Sequence, residues 1–184
     1  MGGGQDSLLG QDSGQTWTLA GIDAGNLAGV GFTGMERLVG GNGDDSFKLD
    51  PSGVFTGSID GGGGDDSIIA AADGTNFTIS GEDSGTAGAA SFSHVENLSG
   101  GAQTDTFSFS PGGSLNGLAD GGGGTDQLVA SDIANTWNIT GAYEGNRFTG
   151  IETLTGGTGA DTFRLEDNVS RFGNRSMVVR VTTR

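Results

Sequence analysis

The sequence predicts an all-β fold, a parallel β-solenoid of about nine coils of roughly 20 residues each. Three observations predict it. A glycine-rich nonapeptide recurs: "MGGGQDSLL" at Met1, "GGNGDDSFK" at Gly40, "GGGGDDSII" at Gly61, "GGAQTDTFS" at Gly100, "GGGGTDQLV" at Gly121 and "GGTGADTFR" at Gly156. A polar column keeps step with it, because Thr16, Glu36, Thr56, Asn76, Glu96, Asn116 and Thr136 fall twenty residues apart. Between these markers the apolar residues alternate with polar ones, the period of a half-buried strand.

The elements follow in order. "TWTL", "NFTI" and "TWNI" pair Trp17 with Leu19, Phe77 with Ile79 and Trp137 with Ile139 on one strand face. "DSFKL", "DTFSF" and "DTFRL" do the same with Phe47/Leu49, Phe107/Phe109 and Phe163/Leu165. In "FTGMERL", "FSHVENL" and "FTGIETL" the apolar spacing widens to three, which reads as a strand with a bend or bulge near a corner. "GIDAGN" at Gly21, "GEDSGT" at Gly81 and "GAYEGN" at Gly141 read as degenerate corners that fill the longer gaps between nonapeptides. The superperiod is then near 60 residues. Residues 1–165 form the repeat domain, and residues 166–184, where the basic residues gather, form a C-terminal cap or tail.

The chain has 184 residues, 39 glycines, 2 prolines and no cysteine. Without the repeat, such a composition would describe a solvated linker. The absence of cysteine excludes a disulfide framework. No run reaches the roughly 18 apolar residues of a membrane-spanning helix. A formal net charge of −15 disfavours nucleic acid and anionic membranes as partners and favours cations.

The glycine runs have a chemical use. Glycine lets a chain turn tightly, with carbonyl oxygens directed inward. A hard cation takes six to eight oxygens and accepts carbonyls beside carboxylates. An Asp at the sixth position, just before the strand, can reach back into such a loop. Two stacked corners then offer two carboxylates and several carbonyls to one Ca²⁺. Read without metal, the same corners are tight turns capped by Asp-to-backbone hydrogen bonds.

These segments resemble the calcium-binding nonapeptides of repeats-in-toxin proteins, G-G-x-G-x-D-x-U-x with U apolar. The longer unit is similar to repeats of very large bacterial surface proteins and adhesins. Carried over position by position, the resemblance implies Ca²⁺ ligands at Asp6, Asp45, Asp66, Asp105, Asp126 and Asp161. Gly41, Gly43, Gly62 and Gly64 form the loops of the first complete pair. Only Asp45/Asp66 and Asp105/Asp126 lie one coil apart, so those pairs are the expected sites. Gln103 replaces the fourth-position glycine and is expected to weaken the second. The nonapeptide does not recur every nine residues, so the family's continuous calcium ladder is not implied.

No nucleophile elbow, zinc-protease helix or phosphate loop is present, and the chain has one histidine. Catalysis is therefore not expected. The resulting expectation is a calcium-stabilised structural or adhesive segment, secreted or on a bacterial cell surface. Its partners would be calcium ions, surface or matrix components and neighbouring solenoid segments. Two rivals stand beside it: a calcium-dependent folding and secretion module of an exported enzyme, and an ice-binding solenoid built on the polar column.

Overall fold

The computed structural model describes residues 4–71, 74–139, 142–143, 146–165 and 178–180. These residues form an all-β structure of two mostly parallel sheets, of ten and eleven strands, and no helix occurs among them. The tail expected as a cap over 166–184 lies outside the described residues except for its strand Val178–Arg180.

After β1 (Ser7–Leu9), the chain repeats one unit. The first unit opens with an antiparallel meander, β2 (Thr16–Leu19), β3 (Ala24–Leu27) and β4 (Val30–Thr33), followed by β5 (Arg37–Gly41), β6 (Ser46–Leu49), β7 (Ser58–Gly62) and β8 (Ser67–Ile69). The second repeats this with the meander β9 (Asn76–Gly81), β10 (Ser84–Ala87) and β11 (Ala90–Ser93), then β12 (Asn97–Ser99), β13 (Thr106–Phe109), β14 (Leu118–Asp120) and β15 (Gln127–Val129). The third comprises β16 (Thr136–Ile139), β17 (Ala142–Tyr143), β18 (Asn146–Thr149), β19 (Thr153–Thr155), β20 (Thr162–Leu165) and β21 (Val178–Arg180).

Outside the meanders, each strand lies in the sheet opposite to its predecessor. A unit therefore makes an odd number of crossings, and successive meanders fall in alternate sheets. What the first unit places in one sheet, the second therefore places in the other.

The registers predicted from the sequence are present. Phe47 pairs with Ile68 and Phe107 with Leu128. In the eleven-stranded sheet, Trp17, Phe47, Ile68, Leu98, Ala119 and Phe148 are successive partners. In the ten-stranded sheet Phe77, Phe107, Leu128 and Leu154 form a second such row. The uniform period of about 20 is not. In the first two units rungs are separated alternately by 30 and 21 residues, as in Trp17–Phe47 and Phe47–Ile68, and the longer step shortens to 29 and 26 at Ala119–Phe148 and Leu128–Leu154. The reason is the meander, which doubles back within one sheet and takes up residues without starting a new coil.

Two local readings change accordingly. "GIDAGN" and "GEDSGT" are hairpin turns within a meander, entered through left-handed Asp23 (φ 45°) and Asp83 (φ 46°). "FTGMERL" and "FSHVENL" are not bent strands but a strand, a crossover and a strand: β4 to β5 and β11 to β12. Alternation reveals that a segment is extended. It does not reveal whether the next one returns or crosses.

The rows form the core. Trp17, Phe47, Phe77 and Phe107 are fully buried, with Leu38, Ile59, Ile68, Leu98, Leu128 and Leu154 between them. Rings stack along the rows, Phe77 on Phe107 at 4.7 Å and Trp17 on Phe47 at 5.3 Å. Phe107→Ala is expected to cost about 3–5 kcal/mol in a denaturant titration, because it opens a cavity beneath Phe77 and removes the stack.

Candidate functional site: the glycine–aspartate corners

The corner between β5 and β6 and the corner between β7 and β8 stack on each other, as do those before β13 and before β15. The first stack lies where the chain passes from the ten-stranded to the eleven-stranded sheet, and the second where it passes back. Asp45, Asp66, Asp105 and Asp126 are each about fully buried.

Burial of a carboxylate demands partners, and each corner supplies them from the coil beside it. Asp45 Oδ1 accepts the Gln15 N–H at 2.8 Å. Asp66 Oδ1 accepts the Asp45 N–H at 2.7 Å, and Glu96 Oε2 accepts the Asp66 N–H at 2.8 Å. The second stack repeats the chain: Asp105 on Thr75, Asp126 on Asp105 and Glu152 on Asp126. Asp161 Oδ1 likewise accepts from Asn135 N–H at 3.1 Å. The carboxylates thus clip each corner to the one before it.

The first glycine of the motif is required by this arrangement. A Cβ on Gly61 would stand 1.9 Å from the His94 carbonyl oxygen and 2.5 Å from Asp66 Oδ2. Gly40 is crowded in the same way by Gly61 O and Asp45 Oδ2. The Asp folds back over the glycine that begins its own corner.

The other predicted loop residues divide. Gly41, Gly62 and Gly64 have positive φ, whereas Gly43 and Gln103 do not. Gln103 therefore meets no left-handed penalty, and the expectation that it weakens its corner on that ground fails. What distinguishes the two pairs is the second oxygen of the first aspartate in each. Asp105 Oδ2 accepts the Gly101 N–H at 2.9 Å. Asp45 Oδ2 and Asp66 Oδ2 are buried with no hydrogen-bond partner, and so is Asp161 Oδ2. Asp6, at the start of the chain, is exposed, and its N–H is held by Glu36 Oε2 at 2.8 Å.

Burial pushes the Asp66 carboxyl up to about 6, against the Asp45 N–H bond and helped by the charges of Glu96, Asp45 and Asp44. Burial also raises Asp45, opposed by the Gln15 N–H and by the Trp17 indole beside it. The Trp17 indole N–H and the Asp45 carboxylate are buried together, and the indole is the group that answers the Asp45 charge from its side. The flanking acids are engaged elsewhere. Asp60 pairs with Arg37 at 2.7 Å and with His94 at 2.8 Å, and Asp44 Oδ1 accepts the Asp65 N–H.

Sequence reasoning missed two kinds of participant. Glu36, Glu96 and Glu152 are caps on backbone N–H groups. "GQDSGQ" at Gly10 and "ASDIAN" at Ala130 are corners of the same form, with Gln15 and Asn135 in the aspartate's place. Their signal is the spacing of five from Gly10 to Gln15, thirty residues ahead of Gly40 and Asp45. The polar column is also divided. Thr16, Glu96, Asn116 and Thr136 begin or precede strands of the eleven-stranded sheet, while Glu36, Thr56 and Asn76 begin or precede strands of the ten-stranded one.

The chain matches no protein-family model, no curated protein and no solved structure.

As a donor set for Ca²⁺, the Asp45/Asp66 corner offers two buried carboxylates on neighbouring strands, Asp66 Oδ2 without a hydrogen-bond partner and Asp45 beside the Trp17 indole. That chemistry fits a hard cation. Among the described residues no group of three or more His, Cys, Asp or Glu side chains is gathered for a metal. Most ligands at this corner would therefore be carbonyls and water.

Proposed function

We propose that this chain is a structural segment of a secreted or cell-surface protein, a parallel β-solenoid whose Asp45/Asp66 corner takes up Ca²⁺. The observation that carries the reading is the buried Asp66 Oδ2, which has no hydrogen-bond partner, stacked on the buried Asp45 carboxylate of the neighbouring corner. An ionised carboxylate so placed is costly unless a cation or a proton answers it. The continuous rungs support the structural role: every unit spends its carboxylates on clipping coils together and gathers none into a cleft. A cavity of 270 Å³ near Leu49, Phe55 and Ala87 has Asp50 as its acidic lining residue, which suits packing rather than acid–base chemistry. The ice-binding rival loses its flat array, because the polar column is split between two sheets.

In this reading Asp45 and Asp66 hold the ion, and the glycines let carbonyls approach it. The ion supplies charge neutralisation, and folding becomes coupled to its concentration. Asp105/Asp126 is a weaker candidate, since Asp105 has both oxygens engaged.

One observation favours a second, metal-free reading: each Oδ1 already caps a backbone N–H, so the corners hold as turns by themselves. Thermal melting in calcium and in chelator separates the two. A bound ion at a hundredfold excess over Kd adds about 2.7 kcal/mol per site. The expected result is a rise in Tm with calcium that Asp66→Asn abolishes and Asp73→Ala leaves intact. A melting temperature that calcium leaves unchanged in each of the three proteins would leave only the turn-cap reading.

A further inference from the structure

The stack has two open faces. Among the described residues, β1 and β4 are the outermost strands at one end of the two sheets, and β20 and β21 at the other. Each has hydrogen-bonding groups on one edge without a strand beside it, and such edges invite pairing.

The repeat relation says what each edge is shaped to receive. β20 stands where β6 and β13 stand, paired to the first strand of its own meander: Trp137↔Phe163 repeats Trp17↔Phe47 and Phe77↔Phe107. Inside the molecule, the far edges of β6 and β13 are taken by β8 and β15. β1 is a strand of that same type: Leu8↔Leu38 repeats Ile68↔Leu98 and Leu128↔Leu154. Likewise β21 pairs with β19 as β7 pairs with β5, and β7 and β14 present their far edges to β11 and β18. β4 is the meander strand equivalent to β11 and β18.

We propose that the β1/β4 face of this chain docks head-to-tail on the β20/β21 face of a second copy, continuing the internal rungs. Thr162 of one copy then lies opposite Ser7 of the next, as Thr106 lies opposite Gln127 and Ser46 opposite Ser67. Asp6 takes up the duty its equivalents perform. Asp66 and Asp126 each cap the N–H of the preceding corner's aspartate, and the exposed Asp6 carboxylate caps that of Asp161 in the neighbouring copy. Val30 is 71% exposed on β4, whereas Ala90, its equivalent on β11, is 1% exposed between neighbours. Leu9 is 67% exposed on β1. The contact is heterologous and does not close, so it generates filaments. It rests on the solenoid reading of the rungs but not on calcium.

Sedimentation of the full chain over a range of concentrations tests it, in calcium and in chelator separately. The expected result is a mass that grows with concentration, while Leu9→Lys/Val30→Lys stays a single chain with an unchanged melting temperature. Orientation is read with a short thiol crosslinker, the chain having no cysteine of its own. Ser7→Cys protein mixed with Thr162→Cys protein should crosslink, and neither should do so alone. A single-chain mass at every concentration in both conditions overturns the proposal. So does association that the lysines do not prevent, or crosslinking of either variant by itself. Association in chelator without any calcium response would retain it and remove the metal site.

Discussion

Asp66→Asn melts higher than the parent chain at pH 7 in chelator, and Asp66→Ala melts lower than Asp66→Asn. The asparagine keeps an oxygen for the Asp45 N–H, now 2.7 Å from Asp66 Oδ1, and removes a buried charge. Alanine removes the charge and the cap together, leaving a buried donor without an acceptor, at about 1–3 kcal/mol. The pH dependence carries the sign. The Asp66 carboxyl is raised from 3.8 to about 6 in the folded chain. The folded state therefore holds a proton that the unfolded state releases. This contribution is complete below pH 4 and is lost as pH rises through 6. A shift of that size is at most about 3 kcal/mol, and less where water reaches the corner. Between pH 4 and 7 the parent chain should thus lose stability relative to Asp66→Asn, read as diverging denaturant midpoints. Calcium reverses the sign, because a cation favours the ionised carboxylate. With calcium the parent should gain stability over the same range.

Gly61→Ala is expected to disrupt the first corner stack, and Gly63→Ala to be close to neutral. The two positions sit in one run of four glycines. A Cβ at Gly61 meets the His94 carbonyl at 1.9 Å and the Asp66 carboxylate at 2.5 Å, and the carbonyl belongs to backbone that must move to make room. At Gly63 the nearest atom is 3.6 Å away, an ordinary contact, and its φ is not left-handed. Moving the His94 carbonyl disturbs the crossover into β12, and moving Asp66 uncaps Asp45. The loss should be several kcal/mol, comparable with a core truncation. Matched denaturant titrations of the two variants check it. Equal stabilities would mean that the corner is more plastic than its contacts imply.

Much of this was legible in the residues. Period-two alternation in "DSFKL" and "TWTLAG" specified strands and their buried faces. Nonapeptides 21 residues apart specified that Phe47 faces Ile68 and that Asp45 neighbours Asp66, since a recurring motif on equal rungs must stack. The aspartates' position next to glycine specified a corner.

Other features depended on which strands lie side by side. Asp23 and Asp83 begin hairpins, and local sequence is equally compatible with a corner at either place. The choice is made by the meander packing between β7 and β13, and with it the 30-residue rungs. The parity of crossings then sends Glu36 and Glu96 to opposite sheets, which twenty-residue spacing suggests should align. Spacing along a chain fixes what can recur. By itself the sequence determined strands, buried faces and the glycine–aspartate corners, because these arise from steric rules acting within a few residues. Only the tertiary structure decided which backbone N–H each carboxylate caps and that Asp66 Oδ2 remains without a partner, because the capping partners lie 21 to 30 residues away and meet only when the strands stack.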